Sequence, residues 1–171
     1  MARYRPPAPP KSPYITAQGY RQLQQEEKSL WLKRREVTKA LAAAAAEGDR
    51  SENAEYIYRK KELREIDRRV RYLQVRLPIL KIIDEPPSNQ DQVYFAAWVT
   101  LEDNDGNENN YRIVGPDEID QQKNYISIDS PLAKSLLKRN VDDKINIETP
   151  GGHLTCWVTA VSYENQSGAR I

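Results

Sequence analysis

The sequence predicts two domains: an antiparallel coiled-coil hairpin of two α-helices, then an α+β domain made of an antiparallel sheet with one short helix. Three observations support this prediction. Apolar residues recur every seven positions between residues 16 and 77, one glycine-containing break at residues 48–56 divides that region, and the apolar period shortens to two from Val93 onward. The predicted segments are a proline-rich flexible tail (1–13), the hairpin (14–83), a linker (84–92) and the C-terminal domain (93–171).

The charge distribution supports the same division. Residues 1–80 contain 18 Lys or Arg and 10 Asp or Glu, a balance of +8, whereas residues 81–171 contain 8 and 15, a balance of −7, so the sum is +1. A basic half suits contact with nucleic acid or an acidic protein surface. A single cysteine, Cys156, excludes an internal disulfide framework. No signal peptide or membrane span is evident, and we expect a soluble, cytoplasmic protein.

The first helix is expected to begin at an N-cap, Thr16, and to run to about Ala46. One heptad position is apolar throughout; it contains Leu23, Leu30, Val37 and Ala44. At ~1.5 Å per residue, such a helix extends about 45 Å. An arm of this length buries only a narrow apolar seam, which indicates that its length serves a function.

The second helix shows a clearer heptad pattern. One heptad position holds Tyr56, Leu63, Val70 and Leu77, and a second holds Ile66, Leu73 and Leu80. Pro78 is expected to end this helix near Leu77, because a proline disfavours helix at the residue before it. Two such stripes joined by a short turn predict an antiparallel coiled coil.

The C-terminal domain is expected to contain five strands and one helix. Ser130 and Pro131 predict an N-cap and an N1 proline, which open a helix to about Arg139. A hairpin turn is predicted at residues 103–107. The predicted strands are residues 95–101, 111–114, 125–128, 144–148 and 154–161.

Two carboxylates in the break between the helices, Asp49 and Glu52, are the leading candidates for chemistry. Their spacing favours a capping box, in which Asp49 caps the second helix and Glu52 reaches back from N3. The alternative is a pair of oxygen ligands for Mg²⁺, which prefers carboxylates and retains several waters. Two carboxylates are too few for an independent site, so a partner would have to supply the remaining ligands.

Basic residues on both helices are the second candidate site. They suit either a solvated coiled-coil surface with local ion pairs or a sequence-independent contact with nucleic acid phosphates. The candidate residues are Lys33, Arg34, Arg35, Lys39, Arg59, Lys60, Lys61, Arg64, Arg68 and Arg69.

Other possible sites are weak. Residues 103–106 resemble the start of a calcium loop, but Gly106 comes too early and Val114 occupies the position of the bidentate glutamate. His153 and Cys156 are too few for a zinc site, and Cys156 lies on the apolar side of a predicted strand. No glycine-rich phosphate loop is present in the sequence.

Over about residues 14–163, the sequence resembles the bacterial Gre transcript-cleavage factors. The tip at residues 48–56 is similar to the tip motif of that family, and the following helix is closer to the GreB branch than to the GreA branch. Further similarities to the family's C-terminal signatures lie at residues 111–115, 126–133 and 149–152.

The resemblance implies a specific function. The hairpin would enter the secondary channel of bacterial RNA polymerase, and an FKBP-like C-terminal domain without prolyl isomerase activity would dock at the rim of the channel. Asp49 and Glu52 would support a Mg²⁺ ion held mainly by polymerase and orient the water that cleaves the extruded 3′ end of a backtracked RNA. The implied supporting residues of the tip are Gly48, Arg50, Ser51, Asn53 and Tyr56.

The resemblance further implies a monomeric cleavage factor that is not an enzyme by itself. One alternative is a non-catalytic regulator that binds in the same channel, with the tip acids acting only as helix caps. A third hypothesis is a coiled-coil chaperone or a general RNA- or DNA-binding protein.

Overall fold

The structure, a computed structural model, describes residues 9–47, 53–149 and 152–163. Strand β1 (Tyr14–Thr16) leads into helix α1 (Ala17–Ala46), and helix α2 (Ala54–Arg76) continues into a 3-10 helix (Leu77–Ile79) and strand β2 (Lys81–Ile83). The predicted cap is confirmed, because Thr16 Oγ1 accepts a hydrogen bond from Gly19 N at 3.0 Å. The predicted end of the second helix before Pro78 is confirmed as well.

The C-terminal elements follow in the predicted order. They are β3 (Trp98–Asp103), β4 (Glu108–Val114), β5 (Tyr125–Ser127), α3 (Pro131–Leu136), β6 (Lys144–Thr149) and β7 (Gly152–Ser162). The five strands form one sheet in the order β5-β4-β3-β7-β6. Its core contains fully buried side chains from both the sheet and α3, including Val99, Ile113, Val158 and Leu136.

The structure corrects the prediction of a wholly antiparallel sheet. Strands β4 and β5 pair in parallel, with Arg112 opposite Tyr125. Residues 115–124 connect the two strands, so the chain returns before it enters β5 in the same direction as β4. A short parallel pair of β1 and β2, which the sequence did not predict, places Ile15 opposite Ile82.

The first strand of the C-terminal sheet begins later than predicted. Ala96 has a φ of 68°, and Ala97 N donates to Tyr94 O, so residues 94–97 form a turn and β3 starts at Trp98. Positive φ at alanine is uncommon and is not indicated by any glycine or asparagine at this position.

The chain divides into two compact units. One contains residues 20–80, and the other contains residues 1–19 with residues 81–171. The predicted hairpin boundaries of 14 and 83 therefore lie outside the helical unit, because β1, β2 and the first turn of α1 belong with the C-terminal residues. We call residues 20–80 the arm.

Candidate functional site at the tip of the arm

The arm is built on the predicted apolar seam. Val37 on α1 packs with Ile66 and Val70 on α2, and all three are nearly inaccessible to solvent. Leu30 and Leu63 pack against this cluster at its edges. Because both helices present one apolar stripe to the other, the end of α1 and the start of α2 form the tip of a two-helix arm.

Asn53 holds the two helix ends together at this tip. Its Oδ1 accepts a hydrogen bond from Tyr56 N at 3.0 Å, which makes Asn53 the N-cap of α2. Its Nδ2 donates to Ala44 O at 2.8 Å, in the last turn of α1. One side chain therefore caps α2 and also binds a carbonyl in the last turn of α1, which accepts a second hydrogen bond from Glu47 N at 3.3 Å.

The capping-box interpretation of the tip acids is wrong for this helix. The N-cap of α2 is Asn53, and the helix starts at Ala54, with Glu55 as the acidic residue of its first turn. Neither Asp49 as the cap nor Glu52 at N3 agrees with that helix start. The other predicted tip residues, Gly48, Arg50 and Ser51, lie with these two acids outside the described residues.

Four of the ten predicted basic residues are held in ion pairs on the arm. Arg69 binds Glu26 through two hydrogen bonds of 2.6 and 2.8 Å, and Arg34 binds Asp67 at 2.7 Å. The other two share one carboxylate, since Lys33 and Arg59 both lie 3.0 Å from Glu62. These two cations hold the pKa of Glu62 below its ordinary value, with the hydrogen bond from Lys33 as the main cause.

The other six basic side chains are exposed: Arg35, Lys39, Lys60, Lys61, Arg64 and Arg68. At 100° per residue, Arg35 and Lys39 lie opposite the seam residue Val37 on α1, and Arg64 and Arg68 lie opposite Ile66 on α2. Three of the ten residues therefore pair across the helices, Arg59 pairs within α2, and the exposed arginines and lysines lie on outward-facing stripes of both helices, so the ten do not form one continuous face. Contact of these stripes with nucleic acid stays a prediction.

Within the described part of the chain, no group of three or more His, Cys, Asp or Glu side chains is arranged to hold a metal ion. Cys156 is buried in the C-terminal core, as predicted, and burial raises the pKa of its thiol. Residues 103–107 form the predicted turn, in which the Asp103 carboxylate accepts hydrogen bonds from Asp105 N and Asn107 N at 2.9 Å. None of the helices described is long and apolar enough to cross a membrane.

Sequence reasoning included Asn53 in the tip but missed its double role. The signal for the cap was available, because Asn53 immediately precedes a run of good helix formers and asparagine is a favoured N-cap. The bond to Ala44 O is a tertiary contact that no local pattern indicates.

Sequence comparisons match both units to one family. The model described as "Transcription elongation factor, N-terminal" matches residues 13–82, and "Transcription elongation factor, GreA/GreB, C-term" matches residues 87–163. The transcription elongation factor GreB of Pseudomonas aeruginosa is 52% identical over 95% of this chain and 98% of its own length. The protein of the same name from Haemophilus influenzae is 54% identical over 90% of this chain and 98% of its own length.

Solved structures give weaker matches. The GreA factor homolog 1 of Thermus thermophilus is 26% identical, with a TM-score of 0.41 over 86% of this chain and 97% of that one. The GreA/GreB factor of Nitrosomonas europaea is 24% identical, with a TM-score of 0.42 over 55% of this chain and 79% of that one.

Proposed function

Because the chain belongs to the GreA/GreB family of transcription elongation factors, as both family models show, we propose that it stimulates RNA cleavage by bacterial RNA polymerase. The arm enters the secondary channel of a backtracked polymerase, and the FKBP-like C-terminal unit binds at the rim. The tip then reaches the extruded 3′ end of the nascent RNA. This protein is not an enzyme by itself, because its tip completes an active site that belongs to polymerase.

The observation that carries this proposal is the cap at Asn53. Since Asn53 provides the N-cap of α2, that helix does not need Asp49 or Glu52 as its cap. Two carboxylates at the end of an arm with an α1 of 30 residues suit delivery to a distant site. The alternative that treats these acids only as helix caps loses its main structural argument.

The tip acids fit Mg²⁺ by donor chemistry, because carboxylate oxygens are the ligands that this ion prefers. Asp49 and Glu52 would hold an ion whose other ligands come from polymerase, and they would orient the attacking water. When bound, Mg²⁺ stabilises charge on the attacking and leaving oxygens of the phosphodiester. The carboxylates would orient that water toward the phosphorus, so that the P–O3′ bond breaks, the retained RNA ends in a 3′-hydroxyl and the 3′-side fragment carries the phosphate.

The test is a double variant, Asp49→Asn with Glu52→Gln, on stalled, backtracked elongation complexes. We expect stimulated cleavage to fall by about a hundredfold or more, as when a group that positions or deprotonates the attacking water is removed. Competition with wild-type protein should show polymerase binding within about threefold of normal, since uncharged isosteres keep the shape of the tip. Glu47→Gln is the matched control, because Glu47 is an exposed carboxylate beside the tip.

Each of the other outcomes supports a different function. Cleavage by the double variant at the wild-type rate would exclude the proposed role of the acids. A wild-type protein that binds polymerase but releases no short 3′ fragments would be a non-catalytic channel regulator. Tight, salt-sensitive binding to free RNA without polymerase would indicate a general nucleic-acid binder.

A further inference from the structure

The Glu118 carboxylate is a hydrogen-bond hub at the first turn of α1. Its Oε2 accepts from Thr16 N and from Gly115 N, each at 3.0 Å, and its Oε1 accepts from the Thr16 hydroxyl. Thr16 Oγ1 in turn accepts from Gly19 N at 3.0 Å. The N-cap of the helix is therefore bound directly to a carboxylate that lies 102 positions away in the sequence.

Two glycines make room for this hub. A Cβ at Gly19 would lie 2.0 Å from Glu118 Oε1, and a Cβ at Gly115 would lie 2.1 Å from Tyr14 O. Gly19 is a poor helix former in the first turn of a long helix. The close approach of the Glu118 carboxylate accounts for the glycine, because a side chain at position 19 would push this carboxylate away.

Further contacts fix the chain just before this helix. Ser12 donates to Asp129 through its backbone N–H at 2.9 Å, and Lys11 lies 3.6 Å from Asp117. Lys81 N donates to Pro13 O at 2.7 Å beside the β1–β2 pair. These contacts hold residues 11–16, but among the described residues the contact with the helix cap itself is made by Glu118.

We propose that Glu118 is a positioning residue for cleavage stimulation, an inference that rests on the proposed function. Residues 16–19 belong to the C-terminal unit, and α1 continues from them without interruption into the arm. By locking Thr16 and the first turn of α1, the hub of Glu118, Thr16, Gly115 and Gly19 holds the root of the arm rigid. A small angular error at the root becomes a displacement of several ångströms at the end of a helix about 45 Å long.

The test uses three variants that break the hub by different routes. Glu118→Ala removes the acceptor, Thr16→Val removes the hydroxyl while keeping a β-branched side chain, and Gly19→Ala pushes the carboxylate away. We expect the maximal cleavage rate at saturating factor to fall by about tenfold or more, as for misplaced catalytic groups. The half-saturating concentration should change by less than about threefold, because uniform binding to polymerase is retained.

Gly19→Ala distinguishes positioning from simple stability. Alanine is the better helix former, so a purely structural role of residue 19 predicts an equal or higher melting temperature and normal cleavage. The hub predicts lower cleavage despite an intact helix, together with faster hydrogen exchange at residues 16–19. Thr16→Ser keeps the hydroxyl and should restore cleavage to near the wild-type rate.

Matched controls are Gln18→Ala, on the exposed side of the same turn, and Glu108→Ala, an exposed glutamate of the same unit; both should cleave as wild type. Normal maximal cleavage by all three hub variants, or loss that only mirrors loss of folded protein, would overturn the positioning role. A wild-type protein that does not stimulate cleavage would overturn the proposed function as well, whereas hydrogen exchange at residues 16–19 would still report whether the hub exists.

Discussion

Among the described residues at the tip, Asn53 joins both helix ends. Its Oδ1 caps α2 through Tyr56 N, and its Nδ2 binds Ala44 O of α1. An unpaired N–H at a helix end is costly when it is shielded from water, and the half-buried side chain of Asn53 removes this cost at Tyr56 while its second bond ties α2 to α1. This role is important for the tip because residues 48–52, with both acids, lie between the two helix ends that it joins.

We predict that Asn53→Ala loosens the tip, while Asn53→Asp keeps the cap and loses only the bond to Ala44. Loss of an N-cap costs about 1 kcal/mol, so the alanine variant should exchange the Tyr56 amide about fivefold faster. The aspartate variant should protect Tyr56 nearly as well as wild type, because a carboxylate oxygen accepts the same bond. Equal protection of Tyr56 in the alanine variant would contradict the cap.

At the scale of the secondary-structure elements, ion pairs between the two helices of the arm determine how α1 and α2 align. The apolar seam alone permits sliding by a heptad, since the same residue types repeat every seven positions. Arg34 with Asp67 and Arg69 with Glu26 match only in one antiparallel alignment. The heptads predicted both helices, and Thr16 and Pro78 predicted the start of the first and the end of the second, whereas the pairing of particular charges required the register that the folded arm provides.

Glu62 gives the arm a predictable pH dependence. Its pKa is lowered in the folded state, mainly by the hydrogen bond from Lys33 and further by Arg59. The stabilisation is therefore complete above the ordinary glutamate pKa and is lost as the pH falls through the lowered value. We predict that Glu62→Gln lowers the melting temperature of the arm at neutral pH, and that the difference from wild type disappears once the pH lies below the lowered pKa of Glu62.

Circular dichroism melts of the helical signal at several pH values will check this prediction. Glu65→Gln is the control, because Glu65 is exposed on the same helix. A constant difference between Glu62→Gln and wild type across the whole pH range would show that the effect is not electrostatic.

At the scale of the whole molecule, the described residues include two apolar clusters that lie in different units. The arm has the cluster of Val37, Ile66 and Val70, and the C-terminal unit has the larger cluster that contains Cys156. Burial raises the pKa of the Cys156 thiol, which keeps it protonated and poorly reactive while that core is closed. The reactivity of the Cys156 thiol therefore measures opening of the C-terminal unit, and the circular dichroism signal of the helices mainly measures unfolding of the arm.

We predict that Ile66→Ala weakens the arm without opening the C-terminal core. Ile66 is 4% exposed, and its truncation should lower the free energy of unfolding of the arm by about 2–4 kcal/mol. Labelling of Cys156 by a thiol reagent should keep its wild-type rate within about twofold, since its own packing is unchanged.

Ile57→Ala is the matched control on the same helix, because Ile57 is 54% exposed and has little packing to lose. A rise in Cys156 labelling that parallels the loss of helix in Ile66→Ala would show that both cores unfold as one cooperative unit.

The sequence by itself determined the two-domain plan, the apolar seam, the order of the strands along the chain and the family, because these depend on periodicity and on short motifs. Only the tertiary structure decided the parallel strand β5, the turn at Ala96, the link from Asn53 to Ala44 and the hub at Glu118. The physical reason is the sequence separation of the residues that interact. Heptads and caps act between residues a few positions apart, whereas Glu118 meets Thr16 only after the chain has folded back across 102 positions.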